Sequence, residues 1–212
     1  MTGTKATALD RFCRATGRAF TRFDYSGHGA SSGRFADGTI GGWLGDALAV
    51  FDEVVQGPVI LVGSSMGGWI ASLVAINRPA RVAGLVTLAA APDFTRRLIE
   101  ARMSPAQREA MARDGFIVDP SDYDPAGYEI RKTLVDEGRN HLILDGPVAI
   151  RCPVRMIHGT ADTDVPFALS AELLARIEST DATLTLVKGA DHRLSAPADI
   201  ARMEAAVAEL AG

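Results

Sequence analysis

The chain has 212 residues, of which 47% are hydrophobic and 23% are charged, and its formal net charge is −4. These values are typical of one globular domain with a sizeable core, so we expect residues 1–212 to form a single domain. The sequence has no cluster of lysine and arginine and no apolar run of roughly 20 residues, which argues against a nucleic-acid partner and against a membrane span.

The compartment is predicted from the first residues and from the cysteines. Residues 1–5 lack the charged and apolar regions of a signal peptide. The two cysteines, Cys13 and Cys152, do not have the spacing of metal ligands, and free thiols are typical of a reducing compartment. The sequence therefore predicts a cytoplasmic protein.

The first part of the chain predicts two helices with a strand and a loop between them. Apolar side chains recur on one face of a helix over residues 4–16, and an alternating pattern predicts a short strand over residues 18–23. The glycine-rich loop that follows contains His28, which either contacts a substrate or is an exposed loop histidine. Thr39 is a suitable N-cap for the next helix, which is predicted to end near residue 55.

A strand, a sharp turn and a helix are predicted around the sequence Gly63-Ser64-Ser65-Met66-Gly67. An apolar run precedes it at residues 58–62, and a helical pattern follows at residues 68–77. In such a nucleophile elbow, G-x-S-x-G, the glycines let strand and helix approach closely and the strained serine presents its hydroxyl. A glycine-rich chain also produces this pattern by chance, but the flanking strand and helix favour the elbow. We therefore interpret Ser65 as a nucleophile, with a helix N-terminus behind it that favours negative charge.

The character of the chain changes after the next strand, which is predicted over residues 82–89. Charged amphipathic helices are expected to begin near residues 94 and 104, and a third helix is expected over residues 128–144. We interpret residues 93–147 as a helical cap inserted into a core formed by residues 1–92 and 148–212, and a long crossover connection is the alternative. A cap would supply apolar walls for a substrate and exclude water.

The alternation of strands and helices resumes after this insertion. Strands are predicted over residues 153–157 and 182–187, and helices over residues 166–177 and 197–210. Repeated strand–helix units predict an α/β fold, in which helices flank a parallel sheet.

A serine nucleophile needs a base that accepts its proton, and the base needs an acceptor that fixes its tautomer. His192 follows the last predicted strand and is a suitable base. Asp162 and Asp164 both follow the strand before it, and the chain order serine, acid, histidine accompanies a nucleophile elbow. Asp164 can instead cap the helix that begins at Pro166, which leaves Asp162 for the triad.

Other interpretations of these polar residues are structural. His158 at a strand end is typical of a packed, hydrogen-bonded histidine, and Asp191 is typical of a turn. A metal site is a further alternative, with His158, Asp162, Asp164 and His192 as its ligands. We consider it the weaker hypothesis because it leaves the serine elbow without a purpose.

Four stretches of the chain carry a family resemblance: FDYSGHG at residues 23–29, GPVILVGSSMGGW at 57–69, HGTADTDVP at 158–166 and DHR at 191–193. With them the chain resembles the α/β-hydrolases. More narrowly, it resembles the mitochondrial abhydrolase-domain family that acts as a palmitoyl-protein thioesterase and acyl-glucuronide esterase, together with its bacterial relatives. The resemblance implies that Ser65 is the nucleophile, Asp162 the acid and His192 the base. It also implies hydrolysis of an acyl ester or thioester, in a small molecule or an acylated protein, with no metal and no organic cofactor.

The chain departs from this family at its start. Family members carry further strands before the first helix seen here, and the last of them ends in a turn whose backbone N–H completes the oxyanion hole. We therefore expect an N-terminally truncated sheet, in which the Met66 N–H is one oxyanion donor and the second has no candidate. Losing one donor lowers turnover by roughly 10²–10³ in other enzymes. A catalytically impaired, hydrolase-like binding protein is therefore the alternative to a working serine hydrolase.

Overall fold

The computed structural model describes residues 1–119 and 127–212, and the chain divides into two compact units. The first, which we call the sheet unit, consists of Met1–Phe23, Ala47–Pro92 and Ile143–Gly212. The second unit consists of Asp24–Asp46 and Asp93–Leu142.

The regular elements are numbered in chain order. The strands are β1 (Val59–Ser64), β2 (Val82–Leu88), β3 (Phe116–Asp119), β4 (Tyr128–Arg131), β5 (Val154–Gly159) and β6 (Ala182–Val187). The α-helices are α1 (Thr4–Ala15), α2 (Ile40–Glu53), α3 (Met66–Asn77), α4 (Pro105–Asp114), α5 (Lys132–Gly138), α6 (Ala168–Arg176) and α7 (Pro197–Ala211). Short 3-10 helices cover Phe35–Asp37 and Arg139–His141, and a π-helix covers Thr95–Glu100.

A four-stranded parallel sheet in the order β1-β2-β5-β6 forms the centre of the sheet unit. Because all four strands are parallel, their carboxyl ends lie at one edge, where open α/β sheets bind their ligands. Ser65, Asp162 and His192 follow the ends of β1, β5 and β6 respectively. The predicted fold class, a parallel sheet with flanking helices, is confirmed.

Helices cover both faces of the central strand β2, whose side chains are almost all buried. Val86 and Leu88 of β2 pack in one buried cluster with Leu9 of α1 and Met203 of α7. Helix α3 packs on β1 and β2, and its residues from Gly68 to Ala75 are all buried, as its apolar sequence predicts. The edge with the three candidate residues is therefore built on a rigid, packed layer.

The second unit contains a two-stranded antiparallel sheet, and one of its strands lies where a helix was predicted. Strands β3 and β4 pair antiparallel, and the buried side chains of Ile117 and Ile130 lie opposite each other. The prediction of one helix over residues 128–144 is therefore wrong for Tyr128–Arg131, which form β4, while α5 follows directly. The cross-strand pair buries two branched apolar side chains, which outweighs the local helical pattern.

Ser104 begins α4 with a capping box to Gln107, as its position predicted.

Three further predictions have different outcomes. The strand predicted over residues 18–23 does not form, because an alternating pattern also needs a neighbouring strand with which to pair. Thr39 accepts a hydrogen bond from the Gly42 N–H at 3.0 Å and caps α2, as expected. The single domain with a cap over residues 93–147 stays a prediction, and its residues 120–126 lie outside the described part of the chain.

None of the helices formed by residues 1–119 and 127–212 combines the length and the apolar composition needed to cross a membrane.

Candidate active site

Ser65 lies in a strained turn between β1 and α3. Its φ of 55° and ψ of −124° place a non-glycine residue in a region that L-amino acids rarely adopt. Backbone hydrogen bonds hold it there: its N–H donates to Leu88 O at 2.9 Å, and its carbonyl accepts from the N–H groups of Ala91 at 3.1 Å and Gly68 at 2.9 Å. The end of β2 therefore fixes the conformation of the turn at the end of β1.

Two glycines make this turn possible, and only one of them, Gly63, is a glycine of the motif. A Cβ on Gly63 would lie 2.2 Å from Gly67 O, and a Cβ on Gly68 would lie 2.7 Å from the Cβ of Ala90. A Cβ on Gly67 would meet nothing within 4 Å. Gly63 and Gly68 thus permit the close approach of the chain, whereas the prediction that Gly67 is needed for clearance is wrong.

The imidazole of His192 lies between the serine hydroxyl and a carboxylate. Its Nε2 is 3.0 Å from Ser65 Oγ, and its Nδ1 is 2.7 Å from Asp162 Oδ2. Asp191 Oδ1 accepts a hydrogen bond from the Leu194 N–H at 3.1 Å, so Asp191 has the turn role that its position suggested. The structure therefore brings Ser65, His192 and Asp162 together in one hydrogen-bonded row.

Asp162 is the carboxylate within hydrogen-bond distance of the imidazole Nδ1. The Asp162 side chain is 0% exposed, and its Oδ1 accepts from the N–H groups of Asp164 and Val165 at 3.0 and 2.8 Å. Asp164 is exposed, and the N-cap residue of α6 is Phe167, three positions further along the chain. The alternative that Asp164 caps this helix stays a prediction. The two aspartates, only two positions apart, therefore differ in exposure and in hydrogen bonding, and the buried one accepts the hydrogen bond from the imidazole.

His158 is the packed, hydrogen-bonded histidine that its strand-end position predicted. It is fully buried, with Nε2 3.1 Å from Asp162 Oδ2 and 3.0 Å from Val165 O, and with Nδ1 2.7 Å from Ser170 Oγ. Burial lowers its pKa, an effect that the nearby carbonyl and carboxylate partly oppose. Sequence analysis did not foresee its contact with Asp162, although a spacing of four residues across a strand end could have suggested it.

The other two histidines belong to the second unit. The ring of His28 lies edge-on to Phe35 and Trp43, with centroid distances of 5.3 and 5.2 Å, so it is packed among aromatic rings and half-buried. It is therefore not the exposed loop histidine of the structural alternative, and a substrate contact stays a prediction. The Nε2 of His141 is 2.6 Å from Glu137 Oε1.

One group of three side chains among the described residues could direct ligand atoms to a common metal: Asp162, Asp164 and His192, whose atoms lie within 4.8 Å of one another. His158, the fourth ligand of the metal hypothesis, is not part of this group. Both oxygens of Asp162 already accept N–H hydrogen bonds, two on each oxygen. A cation would therefore have to compete with these N–H groups for the oxygens of Asp162.

Met66 is the first residue of α3. The first four N–H groups of a helix have no acceptor within the helix, and the helix dipole adds positive potential at that end. The Met66 N–H therefore follows Ser65 directly in the chain at this end of the helix, and its role as an oxyanion donor stays a prediction.

A match to the alpha/beta hydrolase family covers residues 5–209. The chain is 40% identical over 206 residues to the mitochondrial palmitoyl-protein thioesterase ABHD10 of Bos taurus, and 41% identical over 201 residues to that of Mus musculus. The solved structure of mouse alpha/beta hydrolase domain-containing protein 10 matches with a TM-score of 0.91 and 38% identity over 100% of this chain and 84% of that one. A crystal structure from Agrobacterium vitis S4 matches with a TM-score of 0.95 and 43% identity, over 99% and 83% of the two chains.

These matches cover the chain more fully than they cover the relatives. The alignments include 94% of this chain but 65% of the Bos taurus protein and 67% of the Mus musculus protein. The prediction of a cytoplasmic protein is wrong by this comparison, because the curated relatives are named as mitochondrial. Free thiols, on which that prediction partly rested, do not distinguish one reducing compartment from another.

Gly63→Ala is expected to lower the free energy of unfolding by about 3 kcal/mol, because its Cβ would collide with backbone that cannot move without opening the elbow. Gly67→Ala is the matched control, and it should leave stability unchanged or raise it by about 0.5–1 kcal/mol. Urea denaturation of both variants checks this. Equal destabilisation by the two substitutions would contradict the steric account of the turn.

Proposed function

Because the chain belongs to the alpha/beta hydrolase family, we propose that it is a serine hydrolase that cleaves acyl esters or acyl thioesters. The observation that carries this proposal is the row of two hydrogen bonds, 3.0 Å from Ser65 Oγ to His192 Nε2 and 2.7 Å from His192 Nδ1 to Asp162 Oδ2. The relatives named palmitoyl-protein thioesterases support an acyl thioester as substrate, in a small molecule or an acylated protein.

The proposed reaction begins when Ser65 Oγ attacks the acyl carbonyl carbon. His192 Nε2 accepts the hydroxyl proton as the carbon–oxygen bond forms, and the negative charge that develops on the carbonyl oxygen is stabilised by the Met66 N–H. The tetrahedral intermediate then expels the thiol or alcohol, which takes its proton from His192. Water hydrolyses the resulting acyl-enzyme by the same steps, with His192 again as the base.

Asp162 is the proposed acid because its carboxylate fixes the tautomer and the orientation of the His192 imidazole. A hydrogen bond from His192 Nδ1–H to the carboxylate leaves Nε2 unprotonated and directed at the serine, which is the tautomer that the reaction requires. The carboxylate also stabilises the imidazolium that forms during attack. Nucleophile, base and acid are all side chains of this chain, so the proposed reaction needs no metal and no organic cofactor.

The alternative is a hydrolase-like protein that binds a ligand but is catalytically impaired. Pre-steady-state kinetics distinguish this protein from a working enzyme. With a p-nitrophenyl ester, an enzyme that forms an acyl-serine releases about one equivalent of p-nitrophenol per chain before the steady state. A binding protein shows no burst and is not labelled by a fluorophosphonate.

Ser65→Ala is expected to lower turnover of p-nitrophenyl and acyl-CoA esters by at least about 10³-fold and to abolish fluorophosphonate labelling, because no other hydroxyl replaces the nucleophile. Ser64→Ala removes the neighbouring hydroxyl of the same motif and should keep both activity and labelling. Undiminished activity in Ser65→Ala would refute the assignment of the nucleophile.

Asp162→Asn is expected to lower kcat by about 10³–10⁴-fold, because the amide can turn a donor towards His192 and favour the unproductive tautomer. Asp164→Asn keeps the backbone N–H that donates to Asp162 and should retain activity close to that of the unsubstituted protein. Steady-state kinetics of the purified variants check both expectations. Similar losses in the two variants would mean that the two carboxylates share the role.

A further inference from the structure

The buried imidazole of His158 contacts the acid of the proposed triad on the same oxygen that receives His192. His158 Nε2 and His192 Nδ1 both lie within hydrogen-bond distance of Asp162 Oδ2, at 3.1 and 2.7 Å. The side chains of His158 and Asp162 are each 0% exposed, so their contact is shielded from bulk water. The reaction steps described above do not use His158.

The surroundings of His158 fix its protonation. Its Nε2 faces two groups that only accept, the Asp162 carboxylate and the Val165 carbonyl, so this nitrogen carries the proton. Its Nδ1 faces the Ser170 hydroxyl, which can donate to an unprotonated nitrogen. Burial disfavours the charged form and lowers the pKa of His158. The ring is therefore neutral, with its single proton shared between the two acceptors.

We propose that His158 is a positioning residue, which holds the Asp162 carboxylate in the rotation that presents Oδ2 to His192. This inference rests on the proposed function, because it concerns the orientation of the proposed acid. Oδ1 is held by the N–H groups of Asp164 and Val165, and His158 supplies the neutral donor that holds Oδ2 independently of His192. Without it, the orientation of Oδ2 would depend on His192, whose protonation changes during the proposed reaction.

The same imidazole also steadies the turn that provides the other donors. Its Nε2–H is shared with Val165 O, and the N–H of Val165 donates to Asp162 Oδ1. The ring is itself fixed by Ser170 of α6, at 2.7 Å from Nδ1. His158 therefore links β5, the turn after it and α6 at the carboxylate, and the effect of removing it should pass to the serine through His192.

Three variants separate positioning from packing. His158→Phe keeps a ring of similar size and removes the donor, whereas His158→Gln keeps a donor near the position of Nε2. Ser170→Ala is the matched control, because it removes a buried hydrogen bond of His158 and leaves the donation to Asp162 in place. Fluorophosphonate titration counts the competent sites in each preparation, so kcat is obtained per site and is independent of the folded fraction.

His158→Phe is expected to lower kcat per titrated site about tenfold, the size of one hydrogen bond to a charged group, without a change in KM. His158→Gln should recover kcat to within about threefold, and Ser170→Ala should lower the melting temperature but leave kcat within about twofold. An unchanged kcat per site in His158→Phe would overturn the proposal. Equal losses in His158→Phe and His158→Gln would also overturn it, since only ring packing would then matter.

A measurement on the unsubstituted protein covers the case in which His158→Phe does not fold. The ¹⁵N NMR spectrum of the imidazoles should show His158 neutral with its proton on Nε2, and a proton on Nδ1 would overturn the proposal. This readout does not require turnover. If the unsubstituted protein is neither labelled nor active, the proposed function fails, whereas an active enzyme with the wrong His158 tautomer refutes only the present inference.

Discussion

The buried carboxylate of Asp162 is the constraint on which the candidate site depends. A carboxylate without water is strongly destabilising unless donors replace its hydration. Four N–H groups do so here: two from the backbone of Asp164 and Val165, and two from the rings of His158 and His192. The donors come from β5, the turn after it and the loop after β6. One charged group therefore ties the ends of two strands into a fixed arrangement.

Hydrogen bonds also hold the strained backbone of Ser65, and they come from the end of the neighbouring strand β2 and the residues after it. The unusual backbone of Ser65 persists because hydrogen bonds to Leu88 and Ala91 hold the turn on both sides, and because Gly63 leaves room for the helix to pass. A parallel sheet brings such turns to a common edge even when they are far apart along the chain. The site is thus a product of the sheet's topology, refined by local hydrogen bonds.

Periodicity and chain order together predict the fold class and most of the candidate site. Alternating strands and helices indicate the parallel sheet, and positions after strand ends identify Ser65, His192 and two aspartates. Periodicity could not separate Asp162 from Asp164, because the choice depends on how the chain turns after β5. It could not identify β4, since four residues are too few to distinguish a strand from the start of a helix. The compartment was mispredicted because composition carries little information about targeting.

The distance along the chain between the proposed nucleophile and the proposed base has a consequence for biosynthesis. Ser65 and His192 are 127 residues apart, and a ribosome adds about 5–20 residues per second, so the imidazole is made roughly 6–25 s after the hydroxyl. During that interval the nascent elbow has no partner that can take its proton. The proposed hydrolytic activity would therefore arise only late in translation. Labelling of stalled nascent chains by a reactive-serine probe would show at which chain length the candidate site becomes complete.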